Sequence, residues 1–396
     1  MHGPSELTLL DIIWEQRQIS RADLARTTGL SRSTVSSAVA RLLDTGVISE
    51  CGAGSSRGGR RPILLGFNDE PLSIVGVDFG ASHVGVAVSN LRGEVLTWTD
   101  RTHPVRSDPL GTISLTNELI EKALEEVRRT REEVVGIGVA APTPVAPDGS
   151  FSPVVMPAWS ATHAANLLRE RWDVPVFIDN DANAAALAEH WWGLDRKVSD
   201  LLYVKVATGV GCGLILGGEL YRGRHGVAGE ISHTVVIPHG PPCVCGRRGC
   251  LATLVGEQSL VDRARTQYRM SPELGEQNAS IDLDGLIAAA EAGDPVAKES
   301  FSYLGEILGD TLLDLVNVLN PELVVFGGSL TRVGDVFLGP VARVLSAQRA
   351  WTGAPPVEIR QSVLGRHVTV KGAITLVLKE ALARPELFAT AYMRAA

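Results

Sequence analysis

Residues 74–96, IVGVDFGASHVGVAVSNLRGEVL, and residues 201–220, LLYVKVATGVGCGLILGGEL, share one pattern, and this pattern decides the fold. Each stretch reads as an apolar strand, a turn of glycine and hydroxyl residues, a second strand and a hairpin. The hairpin glycines are Gly93 in the first copy and Gly217 and Gly218 in the second. Because strands and helices alternate from Ser73 onward, we predict an α/β body of two related lobes.

The turns of the two copies carry residues that could hold a nucleotide phosphate. Glycine lets backbone N–H groups approach an anion, and a hydroxyl adds one more donor. Two ordinary hairpins would give the same pattern, and this alternative stays open for either copy alone. A third turn ends the strand in NPELVVFGGSL, residues 320–330, and could cover an adenine or begin the next helix. The candidate phosphate-binding residues are Asp78, Gly80, Ser82, Thr208, Gly209, Gly327 and Gly328.

The amino-terminal segment has a different charge from the body. The whole chain carries a formal charge of -8, yet residues 17–61 contain eight arginines and three acids. Ser20 and Ser31 are placed to cap two helices that meet at a turn containing Gly29, as in a helix-turn-helix domain. Two strand-like stretches around GAGSSRGGRR, residues 52–61, predict a wing, and a three-helix cap with a basic linker is the alternative. The candidate DNA contacts are Arg32, Ser33, Thr34, Ser36, Ser37 and Arg41 on the second of these helices, and Arg57, Arg60 and Arg61 on the wing.

Length and composition limit the class of protein. At 396 residues and 45% hydrophobic content the chain is long enough for two or three domains with packed cores. We place a winged helix-turn-helix domain at residues 1–70, a first α/β lobe at 71–190 and a second at 191–370. The final helix, 371–396, is expected to return to the first lobe. No apolar run is long enough to span a membrane and no secretory signal is visible, so we expect a cytoplasmic protein.

A pair of carboxylates follows a buried strand in VPVFIDNDANAAALAEHWWG, residues 174–193. Polar residues at the carboxyl end of a strand lie where α/β folds bind ligands. Asp181 could act as a general base toward a hydroxyl that Asn180 orients. A helix cap explains the same residues, and spacing alone favours that simpler interpretation.

Three of the five cysteines, Cys243, Cys245 and Cys250, lie in the segment CVCGRRGC. The glycines between them allow the chain to fold back so that three thiolates converge on one point. His233 can supply a fourth ligand, and His239 is its rival. We therefore predict a closed, structural Zn²⁺ site, with an iron–sulfur cluster as the alternative that sequence leaves open.

These motifs together resemble the ROK family of repressors, open reading frames and sugar kinases, over nearly the whole chain. The resemblance rests on GVAGEISH (226–233), IDNDANAAAL (178–187), ATGVGCGL (207–214), CVCGRRGC, NPELVVFGG (320–328) and SRGGRRP (56–62). It implies a two-lobed, actin-like (ribonuclease H-like) sugar kinase fold preceded by the winged domain. It also implies that Asp181 stands at the catalytic base position, that Asn180, Glu230 and His233 lie at the sugar, and that His233 and the three cysteines hold zinc.

The chain departs from the kinase pattern of this family at three positions. Ala81 replaces a glycine of the first phosphate turn, Ala252 replaces a sugar-binding glutamate, and Val155 replaces an asparagine. Losing polar partners leaves sugar hydroxyls unsatisfied, at about 1 to 3 kcal/mol each, so tight binding of a simple hexose is not expected.

The resemblance and its departures favour a transcription regulator, commonly a repressor of carbohydrate genes in this family, over an enzyme. Its expected partners are a double-stranded DNA operator, a sugar or sugar derivative as effector, and further copies of the chain in a homodimer or homotetramer. The alternative is a sugar kinase that retains its DNA-binding domain and uses ATP and Mg²⁺, because Asp181, Thr208 and Gly209 are present.

Overall fold

The computed structural model describes residues 4–53, 61–194, 196–270, 280–346, 353 and 355–395. Contacts among residues divide the chain into two compact units. The first unit consists of Met1–Val139, Ala164–Ile178 and Ala373–Ala396, and the second of Ala140–His163 and Asp179–Gly372. Residues 140–163 and 179–190, which the sequence-based boundaries assign to the first lobe, lie in the second unit.

The amino-terminal domain contains three helices and a three-stranded sheet in the order β1-β3-β2. Its elements are α1 (Pro4–Gln16), β1 (Gln18–Ser20), α2 (Arg21–Thr28), α3 (Arg32–Asp44), β2 (Ile48–Ala53) and β3 (Ile63–Phe67). The predicted caps are confirmed, because Ser20 accepts a hydrogen bond from the N–H of Asp23 and Ser31 from that of Thr34. Gly29 ends α2 with φ of 69°, in the left-handed region that glycine favours. Strand β1 was not predicted.

The first unit also contains a five-stranded sheet in the order β6-β5-β4-β7-β8, whose last two strands end in the second unit. The strands are β4 (Ser73–Phe79), β5 (His83–Ser89), β6 (Val95–Thr102), β7 (Val134–Ala141) and β8 (Val176–Asn180). Its helices are α4 (Pro109–Glu126), α5 (Ala164–Trp172), most of α11 (Val368–Ala383) and α12 (Glu386–Ala395). All side chains of β4 and β7 are buried, as expected for strands covered on both faces.

The second unit contains the other copy of the pattern, in a sheet of the order β11-β10-β9-β12-β13. Its strands are β9 (Leu201–Val206), β10 (Val210–Leu216), β11 (Glu219–Leu220), β12 (Leu323–Gly327) and β13 (Glu358–Gln361). Its helices are α6 (Asp181–Ala188), α7 (Glu257–Met270), α8 (Leu283–Glu291), α9 (Pro295–Leu319) and α10 (Asp335–Leu345). Strand β12 runs parallel to both β9 and β13, while β9, β10 and β11 form an antiparallel meander.

Helix α6 lies unusually close to its neighbours, and this fixes the position of Asp181. A Cβ atom on Gly213 of β10 would stand 2.4 Å from the carbonyl oxygen of Ala182. A Cβ atom on Gly372 would stand 1.9 Å from that of Ala184. Glycine at both positions is therefore required for this packing.

Among the residues that the structure describes, no helix is both long enough and apolar enough to cross a membrane.

Candidate ligand site and metal centre

Four side chains of the second unit bring their ligand atoms together. The ligand atoms of His233, Cys243, Cys245 and Cys250 all lie within 4.8 Å of one another. Cys243 Sγ stands 3.4 Å from His233 Nδ1, and Cys245 Sγ stands 3.6 Å from Cys250 Sγ. Thiolates bound to one tetrahedral zinc ion, at about 2.3 Å each, lie close to 4 Å apart, so the spacing fits zinc. The rival ligand His239 is not part of this cluster.

The backbone around the cysteines explains how they converge. Gly246 and Gly249 have φ of 86° and 68°, and a Cβ atom on Gly249 would lie 1.7 Å from the carbonyl oxygen of Ile237. The N–H of Cys243 donates to the carbonyl of Arg247 at 2.9 Å, which closes the hairpin between the ligands. The predicted role of the glycines in folding this loop is thus visible in its geometry.

The protonation of these side chains suits a metal. Burial, with a smaller contribution from Arg247, lowers the pKa of His233, which keeps its imidazole neutral and able to bind. The backbone N–H of Arg247 lowers the pKa of Cys245 to about 7, while burial raises that of Cys250 to about 11. A bound cation would deprotonate both thiols. The donor set therefore fits structural zinc, which would fold the loop and leave no coordination position open.

Asn180 and Asp179 use their side chains to build the start of α6. Asn180 Oδ1 accepts hydrogen bonds from the N–H groups of Ala182 and Asn183, and its Nδ2 donates to Thr143 O at 3.1 Å. Asp179 Oδ2 pairs with Arg222 Nε at 2.6 Å. The helix-cap interpretation of Asn180 is therefore correct, and the cap holds the neighbouring Asp181 at the first helical position.

Asp181 is paired with a cation that the sequence analysis did not select. Its Oδ2 lies 2.7 Å from Lys205 Nζ, and the two side chains are 14% and 23% exposed. Lys205 is the only charged residue of strand β9, LLYVKV. A lysine two residues before a glycine turn in an otherwise apolar strand was the signal that could have identified it.

Glu230 is a second carboxylate whose charge interacts with that of Asp181. Burial and, after it, the charge of Asp181 raise the pKa of Glu230 to about 7. Its carbonyl accepts the N–H of His233 at 3.2 Å, so Glu230 is hydrogen-bonded to a member of the Cys3His cluster. The structure thus places Asn180, Asp181, Glu230 and His233, all predicted to lie at a sugar, in one unit together with Lys205 and Arg222.

The predicted phosphate turns fall in both units. Thr208, Gly209, Gly327 and Gly328 lie in the second, where Gly327 pairs with Lys205 in the sheet. Asp78, Gly80 and Ser82 lie in the first unit, where the imidazole of His83 packs on Gly80, 2.1 Å from the position a Cβ would take. His83 Nε2 also lies 3.5 Å from Asp78 Oδ2. His83 thus covers one face of this turn.

The predicted DNA-contacting residues of α3 lie on its exposed side, opposite the buried Val35, Val39 and Leu42. Arg41 differs from the others, because its Nε donates to Glu6 Oε1 of α1 at 2.6 Å and Glu6 is 4% exposed. Arg61 is exposed, and Arg57 and Arg60 lie outside the described residues. All six predicted residues of α3 are nevertheless exposed: Arg32, Ser33, Thr34, Ser36, Ser37 and Arg41.

The winged domain, the two sheets and the Cys3His cluster define the class: a helix-turn-helix domain joined to a sugar-kinase-like body. The sequence model of the ROK family matches residues 74–380, and one described as winged helix-turn-helix DNA-binding matches residues 4–49. The chain therefore belongs to the ROK family, and the predicted fold is confirmed.

Known proteins resemble the chain over most of its length. The xylose repressor of Caldicellulosiruptor bescii is 31% identical over 388 residues, covering 96% of this chain and 97% of the repressor. A ROK family glucokinase from Streptomyces griseus, solved with glucose and AMPPNP, is 28% identical with a TM-score of 0.68, covering 77% of this chain and 98% of its own. A ROK family transcriptional regulator, a homologue of the E. coli MLC protein, covers 99% of this chain and 98% of its own with a TM-score of 0.81. At 23% identity, this last likeness shows the fold alone.

Proposed function

We propose that the chain is a DNA-binding repressor of carbohydrate genes whose kinase-like body binds a sugar or sugar derivative and is stabilised by zinc. The observation that carries the proposal is the capped helix α3, whose exposed side presents short hydroxyls and Arg32. This is the chemistry that reads base edges and phosphates in a major groove. The likeness to a xylose repressor over 96% of the chain supports the same function.

The effector would bind in the second unit, beside Asn180, Asp181, Glu230 and His233. Lys205 and Arg222 add two cations to these residues, each paired with a carboxylate. Carboxylates held in this way accept hydrogen bonds from hydroxyl groups, and their paired cations donate to oxygens of the same ligand. Zinc, when bound by His233 and the three cysteines, would fix the loop that carries Glu230. Two copies of the chain would present two α3 helices to the half-sites of an operator.

A binding selection from the genome of the source organism tests this function. Fragments enriched by the purified chain are compared with random duplexes of the same length at one salt concentration. We expect the enriched fragments to bind about a thousandfold or more tightly than random DNA, and Arg32→Ala to remove most of that preference. Sugars, phosphosugars and sugar acids are then added in turn, and one class should change the affinity for the operator. Equal affinity for all duplexes would contradict the proposal.

A sugar kinase remains the second candidate, because Asp181, Thr208 and Gly209 are present in one unit. Phosphate transfer from ATP with Mg²⁺ to a panel of sugars tests it. Transfer that Asp181→Asn abolishes would support the enzyme. We expect none, because Ala252 and Val155 stand where kinases of this family carry polar residues at the sugar.

A further inference from the structure

Arg247 is not one of the four predicted zinc ligands, yet it contacts two of them. One guanidinium nitrogen, Nη2, donates to the main-chain carbonyl of His233. The guanidinium also shares a hydrogen bond with the thiol of Cys245, and the backbone N–H of Arg247 makes another to the same thiol. A single side chain therefore bridges the histidine and a cysteine of the cluster.

Two backbone hydrogen bonds join the segment after the histidine ligand to the segment around the third cysteine. The N–H of Leu251 donates to the carbonyl of Thr234 at 2.9 Å, and the N–H of Val236 donates to that of Gly249 at 2.8 Å. Both bonds lie at the base of the cysteine hairpin. The tip of the hairpin, residues 243–247, carries the other two cysteines and lies beyond these bonds. Its position relative to the histidine therefore depends on other contacts.

The side chain of Arg247 provides such a contact. The tip is first closed on itself, because the N–H of Cys243 donates to the carbonyl of Arg247 at 2.9 Å and the N–H of Gly246 to that of Cys243 at 3.0 Å. The guanidinium then joins the closed tip to the main chain of His233. Cys243 Sγ stands 3.4 Å from His233 Nδ1, so this bond acts where ligands of the two segments meet. Ligands that are held in place before the metal arrives lose less conformational freedom on binding it.

The charge of Arg247 also suits the cluster. Zinc bound by three thiolates and a neutral imidazole carries one net negative charge. Within the part of the chain that the structure describes, the partners of the Arg247 side chain are a carbonyl and a thiol, and no carboxylate neutralises it. A guanidinium held beside the metal-bound thiolates offsets their charge, and groups in this outer position strengthen metal binding.

The next residue, Arg248, provides a natural comparison. Both arginines are exposed, and the backbone of Arg248 pairs with Pro242 across the hairpin. The side chain of Arg248 has no hydrogen bond or ion pair among the described residues. Two identical side chains thus stand next to each other, one bonded to the ligands and the other not.

We propose that Arg247 is a positioning residue of the zinc site, which clamps the tip of the cysteine hairpin to His233 and offsets the negative charge of the metal-bound thiolates. The N–H of His233 donates to the carbonyl of Glu230 at 3.2 Å, so the clamp also fixes one end of the turn that carries Glu230. The inference rests on the zinc assignment within the proposed function, and it gives a residue outside the four ligands a role in retaining the metal.

The rate of zinc release tests this role in the full, zinc-loaded chain. Transfer of zinc to an excess of a chromogenic chelator is followed at one pH. We expect release from Arg247→Ala to be about tenfold faster than from wild type, and release from the matched control Arg248→Ala to be unchanged. Arg247→Lys keeps the charge and Arg247→Gln keeps a donor, so each should recover part of the loss. Added salt should speed release from wild type more than from Arg247→Gln, because salt screens the charge.

Cobalt(II) in place of zinc shows whether the ligands themselves change. The thiolate-to-cobalt absorption should be the same in wild type and Arg247→Ala, since all four ligands remain, whereas loss of a cysteine ligand would reduce it. Equal release rates from Arg247→Ala and Arg248→Ala would overturn the inference and leave the zinc assignment intact. A wild type that binds no zinc would overturn both. Operator binding, measured in parallel on the same variants, tests the repressor function separately.

Discussion

At the scale of single residues, the pair of Asp181 and Lys205 determines what the candidate ligand site can do. Asp181 begins α6, where the partial positive charge of a helix amino terminus favours a carboxylate, and Lys205 Nζ adds a full charge at 2.7 Å. A carboxylate paired in this way can still accept a hydrogen bond from a ligand hydroxyl.

Replacing Lys205 with methionine tests the strength of this pair. The change leaves the half-buried Asp181 without its cation and close to Glu230, so we expect a loss of about 1 to 3 kcal/mol in the free energy of unfolding. Adding Asp181→Asn should recover part of that loss, because the uncompensated charge disappears. Urea unfolding of the two variants measures the effect, with Lys298→Met as an exposed control. If the double variant is less stable than Lys205→Met, the pair does not act as described.

Glu189, which is 2% exposed, makes the stability of the second unit depend on pH. Burial raises its pKa above the usual value of 4.5, although the hydroxyl of Ser362, the N–H groups of Leu364 and Val363 and the charge of Lys371 act in the opposite direction. Between 4.5 and the raised pKa the folded chain keeps a proton that the unfolded chain has lost. Stability should therefore fall as pH rises through that window, by up to about 1.4 kcal/mol per unit.

Glu189→Gln removes the titrating group, so melting temperature should depend less on pH above 4.5 than in wild type. Thermal melts at half-unit steps of pH provide the measurement, and Glu291→Gln, on an exposed helical position, is the control. Identical pH profiles for wild type and Glu189→Gln would show that the Glu189 carboxyl has the same pKa in the folded and the unfolded chain.

At the scale of elements, the turn between β5 and β6 holds the winged domain. Arg92 in this turn is 10% exposed, and its Nε pairs with Asp69 Oδ2 at 2.5 Å. Its guanidinium lies 5.8 Å from the ring centre of Trp14 in α1 and 5.5 Å from that of Phe67 in β3. Trp14 Nε1 in turn donates to Leu91 O at 3.0 Å. Phe388 of helix α12 packs edge to face with Phe67, with the two ring centres 5.5 Å apart. Movement of this part of the body would therefore be transmitted to α1 and β3 of the winged domain.

Replacing Arg92 with alanine should loosen the winged domain while leaving the body folded. We expect about 2 to 4 kcal/mol less protection of the amides of α1 and β3, because Asp69 loses its partner and two rings lose their cation. Hydrogen exchange measures this change. Arg101→Ala is the matched control, since Arg101 pairs with Glu118 at the surface of the same sheet and should cost below about 1 kcal/mol. Equal exchange in both variants would contradict the role of Arg92.

Elements whose signals are local could be predicted from the sequence, and contacts between distant residues could not. Ser20 and Ser31 each accept a hydrogen bond from a residue three positions further along the chain, and each glycine hairpin is closed within four residues. Signals of this short range can be recognised in the sequence alone. The cysteine cluster was predictable because its three thiolates lie within eight consecutive residues. The partners of Asp181 and Arg41 lie 24 and 35 positions away along the chain, and only the packing of whole elements brings them together.

At the scale of the whole molecule, DNA reading and ligand binding are assigned to different units. Helix α3 belongs to the first unit, whereas Asn180, Asp181, Glu230 and the metal cluster belong to the second. The chain passes from one unit to the other at four points, after Val139, His163, Ile178 and Gly372. Asn180 and Asp181 follow one of these points directly, and Asn180 is bonded to Thr143, just beyond another.

Replacing a predicted zinc ligand tests how much the stability of the second unit depends on metal binding by the loop of residues 221–250. Cys245→Ser deletes one of four predicted ligands, so we expect the bound zinc, measured by elemental analysis, to fall from about one ion per chain to near zero. The second unit should then melt at lower temperature, because the segment of residues 221–250 would lose the bond that closes it. Cys51→Ser is the control: Cys51 is exposed in β2, outside the cluster, and its loss should leave both zinc and melting unchanged. Full zinc retention in Cys245→Ser would contradict the ligand assignment.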